Sequence, residues 1–155
     1  MKERSTEINP QITQIAQIFQ EPDMEAPDDK RDPRTYAIIE AAMEVHGIMG
    51  CAYLDRVHQE ALEIEFKMRD LPHVREKPFE IYYKEQQLSR VYRPDFICFK
   101  FVVVDVKALA RLGPIEEAQM INYLKTTACE IGLVLNFGTP SLQYRRFVLS
   151  KERHS

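Results

Sequence analysis

Apolar residues recur at helical spacing through the first part of the chain's central region. In TYAIIEAAMEVHGIMG, Ile38, Ala42, Val45 and Met49 fall four, three and four apart, on one side of a helix. Gly47 or Gly50 can end it. A second helix follows, with Leu54, Val57, Ala61, Ile64 and Met68 at three, four, three and four, the stripe expected to face a core. RDLPH breaks that pattern, and the period then changes to two. Phe79, Ile81 and Tyr83 alternate with Glu80, Tyr82 and Lys84, as in a strand with one buried face. KEQQ reads as a turn without glycine. A second strand is expected from Leu88 to Phe99 and a third from Phe101 to Ala108, joined by a tight turn at Lys100. GPIEEAQMINYLKTTA reads as a helix. Gly113 and Pro114 lie at its start, with Glu116 and Glu117 in the first turn, where the helix dipole favours anions. EIGLVLNFG is a nearly continuous apolar run, the mark of a central strand, and LQYRRFVLS a final strand. Three consecutive strands, a helical crossover and a buried strand imply an α/β (α+β) fold, a mixed sheet flanked by helices.

Length and composition set the scale. With 155 residues and 45% hydrophobic content, the chain has room for one core. No apolar run is long enough to span a membrane. The polar start MKERSTEINPQ has no apolar stretch of the secretory kind. The three cysteines, Cys51, Cys98 and Cys129, form no CxxC pair, so reduced thiols in a cytoplasmic protein are expected. Residues 1–33 read as an acidic, proline-containing extension, residues 34–150 as the domain, and residues 151–155 as a tail. Within the extension, ITQIAQIF has the spacing of a short amphipathic helix, which packs on the domain, stays loose or binds a partner.

The overall net charge is −3, which argues mildly against nucleic acid. Residues 1–33 carry a net −4, however, leaving +1 on the remainder, so a local basic groove is compatible with the composition.

The chemistry concentrates in RPDFICFKFVVVDVKAL. Asp105 and Lys107, two apart in a strand, share a face at the end of an apolar run. Asp95 and Asp105 are each five residues from Lys100, so a hairpin there sets them opposite each other, with Cβ atoms about 4.5–5.5 Å apart. Two such carboxylates repel unless one takes a proton or a cation lies between them. A hard divalent ion with oxygen ligands, Mg²⁺ above all, suits the pair, and Lys107 can orient an attacking water or a phosphate. The same spacing also fits an ordinary cross-strand salt bridge of either aspartate with Lys107 or Arg93.

These residues carry a resemblance. Pro94-Asp95 followed by Asp105-Val106-Lys107 resembles the signature of the PD-(D/E)XK nuclease superfamily. The blocks EVHGIMGCAYLDRVHQEAL, FEIYYK…YRPDFICFKFVVVDVKAL and EEAQMINYLKTTACEIGLVLNFG resemble its small bacterial GxxExxY family. The resemblance implies a restriction-endonuclease-like core, with Asp95 and Asp105 as metal ligands, the Val106 carbonyl as a third, and Lys107 as the catalytic lysine. Gln119 and Tyr123 match a QxxxY motif, one turn apart on a helix and facing the same way. Asp55 stands where the family has glutamate, as a further catalytic carboxylate, with Glu60 and Glu44 as lesser candidates. His58 stands where it has tyrosine, Gly50-Cys51-Ala52 replaces a GxG turn, Asp105 is one methylene shorter than the usual glutamate, and Glu116 replaces a frequent histidine. Arg93, Arg90, Lys84 and Arg111, with Tyr123, are candidates for nucleic-acid contact, or plain solvated residues.

The implied activity is hydrolysis of DNA phosphodiester bonds with Mg²⁺, for which Mn²⁺ can substitute. DNA is favoured over RNA, no membrane is involved, and homo-oligomerisation is compatible. The alternative is a catalytically inactive nuclease-fold module that binds nucleic acid or a protein partner.

Overall fold

A computed structural model describes residues 32–149. The expectations for ITQIAQIF and for the tail fall outside the described residues.

Helix α1 (Pro33–Met49) begins where Asp32 accepts a hydrogen bond from the Arg34 amide at 3.0 Å, with Pro33 in the first turn. It ends at Gly50, whose φ of 82° requires glycine, so Gly47 lies inside the helix. Asp32 is buried and pairs with Arg34 at 3.1 Å and Arg146 at 3.6 Å, tying the start of the domain to its last strand.

Helix α2 (Asp55–Met68) departs from the sequence reading. Its buried residues are His58, Gln59, Leu62 and Phe66, not the expected stripe. Leu54, Ile64 and Met68 are 75%, 55% and 73% exposed, and Val57 is exposed too, so the helix carries a second apolar face toward solvent. His58 explains the error, because a polar residue type fills a core position. Its ring lies 4.6 Å from the Phe137 ring, nearly parallel, and Nε2 is 2.9 Å from the Gly50 carbonyl oxygen. A carbonyl only accepts, so Nε2 carries the proton and donates. The corrected phase has a measurable consequence. Leu62→Ala is expected to lower unfolding free energy by about 2–4 kcal/mol and Ile64→Ala by less than about 0.5 kcal/mol, read from urea melts. Equal losses would restore the original phase.

The strands are β1 (His73–Arg75), β2 (Phe79–Tyr83), β3 (Gln86–Tyr92), β4 (Phe96–Cys98), β5 (Val102–Lys107), β6 (Ile131–Asn136) and β7 (Gln143–Val148). Helix α3 (Pro114–Thr127) crosses from β5 to β6. One five-stranded sheet has the order β1-β4-β5-β6-β7, antiparallel except for the parallel β5–β6 pair, and β2 and β3 form a separate two-stranded ribbon. This is a mixed central sheet flanked by helices, as expected. The single strand expected over Leu88–Phe99 is two strands, broken at Arg93-Pro94-Asp95. Pro94 has no N–H to give a ladder, and there the chain passes from ribbon to sheet. Strand β1 went unread because three residues beside Pro72 give no period. The turn expected at Lys100 spans Phe99 and Lys100, with φ of 54° and 68°, the left-handed pair of a tight hairpin. Strand β6 is interior, as its apolar run implied, paired with β5 and β7 and buried at all six residues, and β5 beside it is the middle strand of the five.

The two faces of the sheet carry separate cores. Helices α1 and α2 cover Phe96, Val102, Val104, Val106, Leu133 and Leu135, while α3 covers Ile97, Val103 and Val134 with Met120, Ile121 and Leu124. Among the described residues, no helix is long and apolar enough to cross a membrane.

Candidate active site

The site is built at the carboxyl end of β5. Alternation along that strand sends Val102, Val104 and Val106 into the α1–α2 core and leaves Asp105 and Lys107 on the α3 face. The last paired residues of the β4–β5 hairpin are Phe96 and Val104, and one step beyond them lie Asp95 and Asp105. Their carboxyl groups are near enough that Asp105 raises the pKa of Asp95. The hairpin count from Lys100 therefore places the two acids as the sequence reading had them.

Asp95 is held from several sides. Its Oδ2 accepts the Val106 amide at 2.7 Å, and its Oδ1 accepts Gln59 Nε2 at 3.1 Å. Burial first, and then the Asp105 carboxylate, push its pKa up to about 7. Lys107 Nζ lies 3.2 Å from Asp105 Oδ2 and 3.5 Å from Gln119 Oε1. Burial pulls the lysine's pKa down, but the Asp105 carboxylate outweighs it, and the ammonium is held above its ordinary value. The salt bridge weighed as an alternative reading of the sequence is thus present, between Lys107 and Asp105. It coexists with the carboxylate pair.

The loop after Lys107 is fixed by Asn136, which lies opposite Lys107 in the β5–β6 register and is wholly buried. Its Oδ1 accepts the Leu109 and Gly138 amides at 2.8 and 3.1 Å, and its Nδ2 donates to Leu109 O and Gln143 Oε1, both at 3.1 Å. Gly138 is required beside it, since a Cβ there would sit 2.4 Å from the Leu109 carbonyl oxygen.

Helix α3 brings Gln119 and Tyr123 to the site on one face. Its N-terminus is closed by Glu116, whose Oε1 accepts the Gly113 amide at 2.9 Å, and by the pairing of Glu117 with Arg145. Glu116 therefore caps the helix. Tyr123 stacks on Tyr92, with ring centroids 3.9 Å apart and planes 14° from parallel. Burial and then Asp105 push both phenols above their usual pKa. The Tyr92 hydroxyl is buried without a hydrogen-bond partner.

On the α2 side, Asp95 also lines a cleft of about 160 Å³ with Asp55, Arg56, Gln59, Glu76 and Val106. Asp55 stands exposed at the first residue of α2, while His58, named with it, is in the core. Glu44 and Glu60 are exposed. Gln59 and Glu76 were missed. Gln59 Nε2 also reaches Glu76 Oε2 at 3.3 Å, and Gln59 Oε1 accepts Arg75 Nη2 at 3.3 Å. Glu76 takes a left-handed φ of 53° and donates its amide to the Asp95 carbonyl at 3.2 Å. A signal for Gln59 existed, four residues after Asp55 and thus on its helix face, but it was masked by the wrong phase for α2. The left-handed turn at Glu76 left none. Arg93, Arg90 and Lys84 follow the ribbon outward from Asp95, and Arg111 is exposed on the loop before α3.

The donor set suits a hard divalent cation. Two carboxylates converge, an unpartnered phenol hydroxyl lies beside them, and burial together with the Asp105 charge raises the pKa of Asp95. Among the described residues, no group of three His, Cys, Asp or Glu side chains is placed to hold an ion together. Mg²⁺ keeps several waters and needs only one or two protein carboxylates, so that arrangement fits it.

No curated protein and no solved structure matches the chain. A family model described as the PD-(D/E)XK nuclease superfamily matches residues 32–147, a span that takes in the sheet save the last residue of β7 and each acid, lysine and glutamine just placed around β5. The chain belongs to the PD-(D/E)XK nuclease superfamily.

Proposed function

We propose that the chain is a metal-dependent nuclease of the GxxExxY group that hydrolyses DNA phosphodiester bonds in a cytoplasmic setting. Asp95 and Asp105 are the metal ligands, joined by the Val106 carbonyl, and Lys107 is the catalytic lysine. The observation that carries this reading is the meeting of two carboxylates with an ammonium 3.2 Å from one of them.

A bound Mg²⁺ or Mn²⁺ would polarise the phosphodiester and offset the charge that builds up in its transition state. The remaining work falls to the chain. Lys107, kept protonated by Asp105, donates hydrogen bonds and acts as a fixed positive charge, not as a base. The Gln119 oxygen holds the ammonium from its other side and so directs its free N–H groups. Asp55, at the rim of the cleft, is placed to orient water. Tyr123, Arg93, Arg90, Lys84 and Arg111 contact the nucleic acid, and the four cations set its position rather than its sequence.

One observation favours a catalytically silent module instead. His58 is committed to the core, and Asp55 is exposed with no side-chain cap at the α2 start, so the helix motif supplies one short acid where the family has a longer one. Incubation of plasmid, linear duplex, single-stranded DNA and RNA with Mg²⁺ or Mn²⁺ decides between them. Metal-dependent cleavage of DNA is the expected result. Binding of metal and nucleic acid without cleavage of any substrate would leave the module.

A further inference from the structure

The β2–β3 ribbon stands apart from the five-stranded sheet, and most of it is exposed. Seven-residue β3 makes it about 20 Å long. Such a ribbon has little to bury, so large apolar side chains on it call for a partner. Tyr82, Tyr83 and Leu88 are 55%, 63% and 41% exposed. The Lys84 ammonium lies 5.4 Å from the Tyr83 ring centre, and Lys77 Nζ lies 5.5 Å from that of Phe79. Residues 77–93 hold the basic side chains Lys77, Lys84, Arg90 and Arg93 against the acids Glu80 and Glu85, in a chain whose overall charge is −3. Glu80 is engaged by the Tyr82 hydroxyl at 2.9 Å.

The ribbon also has a direction. Alternation along β2 puts Phe79 and Tyr83 on one face, and their pairing with Tyr92 and Gln86 puts Tyr92 there too; the register shifts in the stretch of β3 between Gln87 and Val91, which carries Leu88 and Arg90. Tyr92 at the base stacks on Tyr123, whose phenol feels Asp105 and Lys107. One face thus runs from an exposed ring at the tip to a stacked ring pair beside the two carboxylates, with exposed Leu88 and Arg90 in the shifted stretch between them.

We infer that this face is a track for single-stranded nucleic acid, with bases stacking on Tyr83 and Leu88 and the backbone following Arg90 toward Asp95 and Asp105. The inference rests on the nuclease reading and names its substrate class. A duplex hides its base faces and offers mainly phosphates along its sides, so exposed rings gain little from it. A single strand presents a π-face at each nucleotide and a phosphate between them, the pattern of rings and cations on this ribbon.

The test is fluorescence anisotropy of the full chain, in Ca²⁺, with a labelled single strand of about 15 nucleotides and a duplex of the same length. The single strand is expected to bind at least ~10-fold more tightly. Tyr83→Ala and Arg90→Ala should each weaken it about 5–20-fold, and Tyr83→Trp should restore the first; Tyr83→Ala should change duplex affinity less than about twofold. Both side chains are exposed, so folding is not at stake. Tighter duplex binding, or single-strand affinity unmoved by Tyr83→Ala, overturns the track. Cleavage by the wild type with unchanged rates in Tyr83→Ala also overturns the track and leaves the nuclease reading standing. Single-strand binding that depends on Tyr83 without cleavage of any substrate supports the track and removes the hydrolysis.

Discussion

Lys107→Ala is expected to cut metal-dependent DNA cleavage by about 10²–10³-fold while leaving metal binding in place. The lysine is half-buried between Asp105 Oδ2 at 3.2 Å and Gln119 Oε1 at 3.5 Å, so its ammonium is aimed before substrate arrives. Removing it deletes a donor and a positive charge next to the scissile phosphate. It also makes the surroundings of Asp95 and Asp105 more negative, which holds a divalent cation at least as well. The two effects have opposite signs, and measuring both separates catalysis from binding. Rates come from supercoiled plasmid at saturating Mn²⁺, and metal binding from the rise in melting temperature. Lys107→Arg keeps the charge but not the compact ammonium that fits between a carboxylate and an amide, so partial recovery at most is expected. Equal cleavage by wild type and Lys107→Ala would end the assignment of this residue.

Asp95→Asn is expected to abolish cleavage and, without metal, to stabilise the fold at alkaline pH. Burial and the neighbouring Asp105 raise the Asp95 pKa from 3.8 to about 7. A carboxyl group whose pKa is higher in the folded state binds its proton more tightly there than in the unfolded chain. Its contribution to stability is therefore complete below about pH 4 and is lost as pH rises through about 7. The metal-free wild type accordingly loses stability between about pH 4 and pH 7 through this group. Asparagine cannot ionise. It keeps an oxygen for the Val106 amide and sets its NH2 in the Oδ1 place, where the Gln59 amide must turn to present its oxygen; with nothing left to ionise, this slope disappears. At about pH 8 the variant should melt about 3–8 °C higher than the wild type, and near pH 4 the difference should shrink toward zero. Millimolar Mg²⁺ or Mn²⁺ should raise the wild-type melting temperature at alkaline pH and leave the variant unmoved. Parallel pH slopes in the two proteins would show that Asp95 does not carry the repulsion.

The legible part of the site was the part set by local geometry. A three-residue hairpin connection centred on Lys100 and strand alternation are rules of short range, so Asp95, Asp105 and Lys107 could be placed by counting from Lys100. Gln119 and Tyr123 followed from helical spacing. What failed depended on distant packing. On α2 two faces are apolar enough to be the core, and what marks the buried one is packing with residues further along the chain, Phe137 on His58 and Phe96 on Phe66. Gln59 was lost with that error. Tyr92 was read as one more residue of a long strand, because nothing local reveals that the chain leaves one sheet at Pro94 and enters another. Asn136 gave no sign either: its four hydrogen bonds depend on Leu109, Gly138 and Gln143 arriving together.

The break at Pro94 bears on how such a protein can change over generations. The ribbon shares no ladder with the five-stranded sheet, so insertions, deletions or replacements at its tip leave the central hydrogen bonds untouched. Asp95, on the near side of the break, stays anchored by Val106 and Gln59 whatever the ribbon becomes. A lineage can therefore exchange the gripping tool while inheriting the chemistry intact.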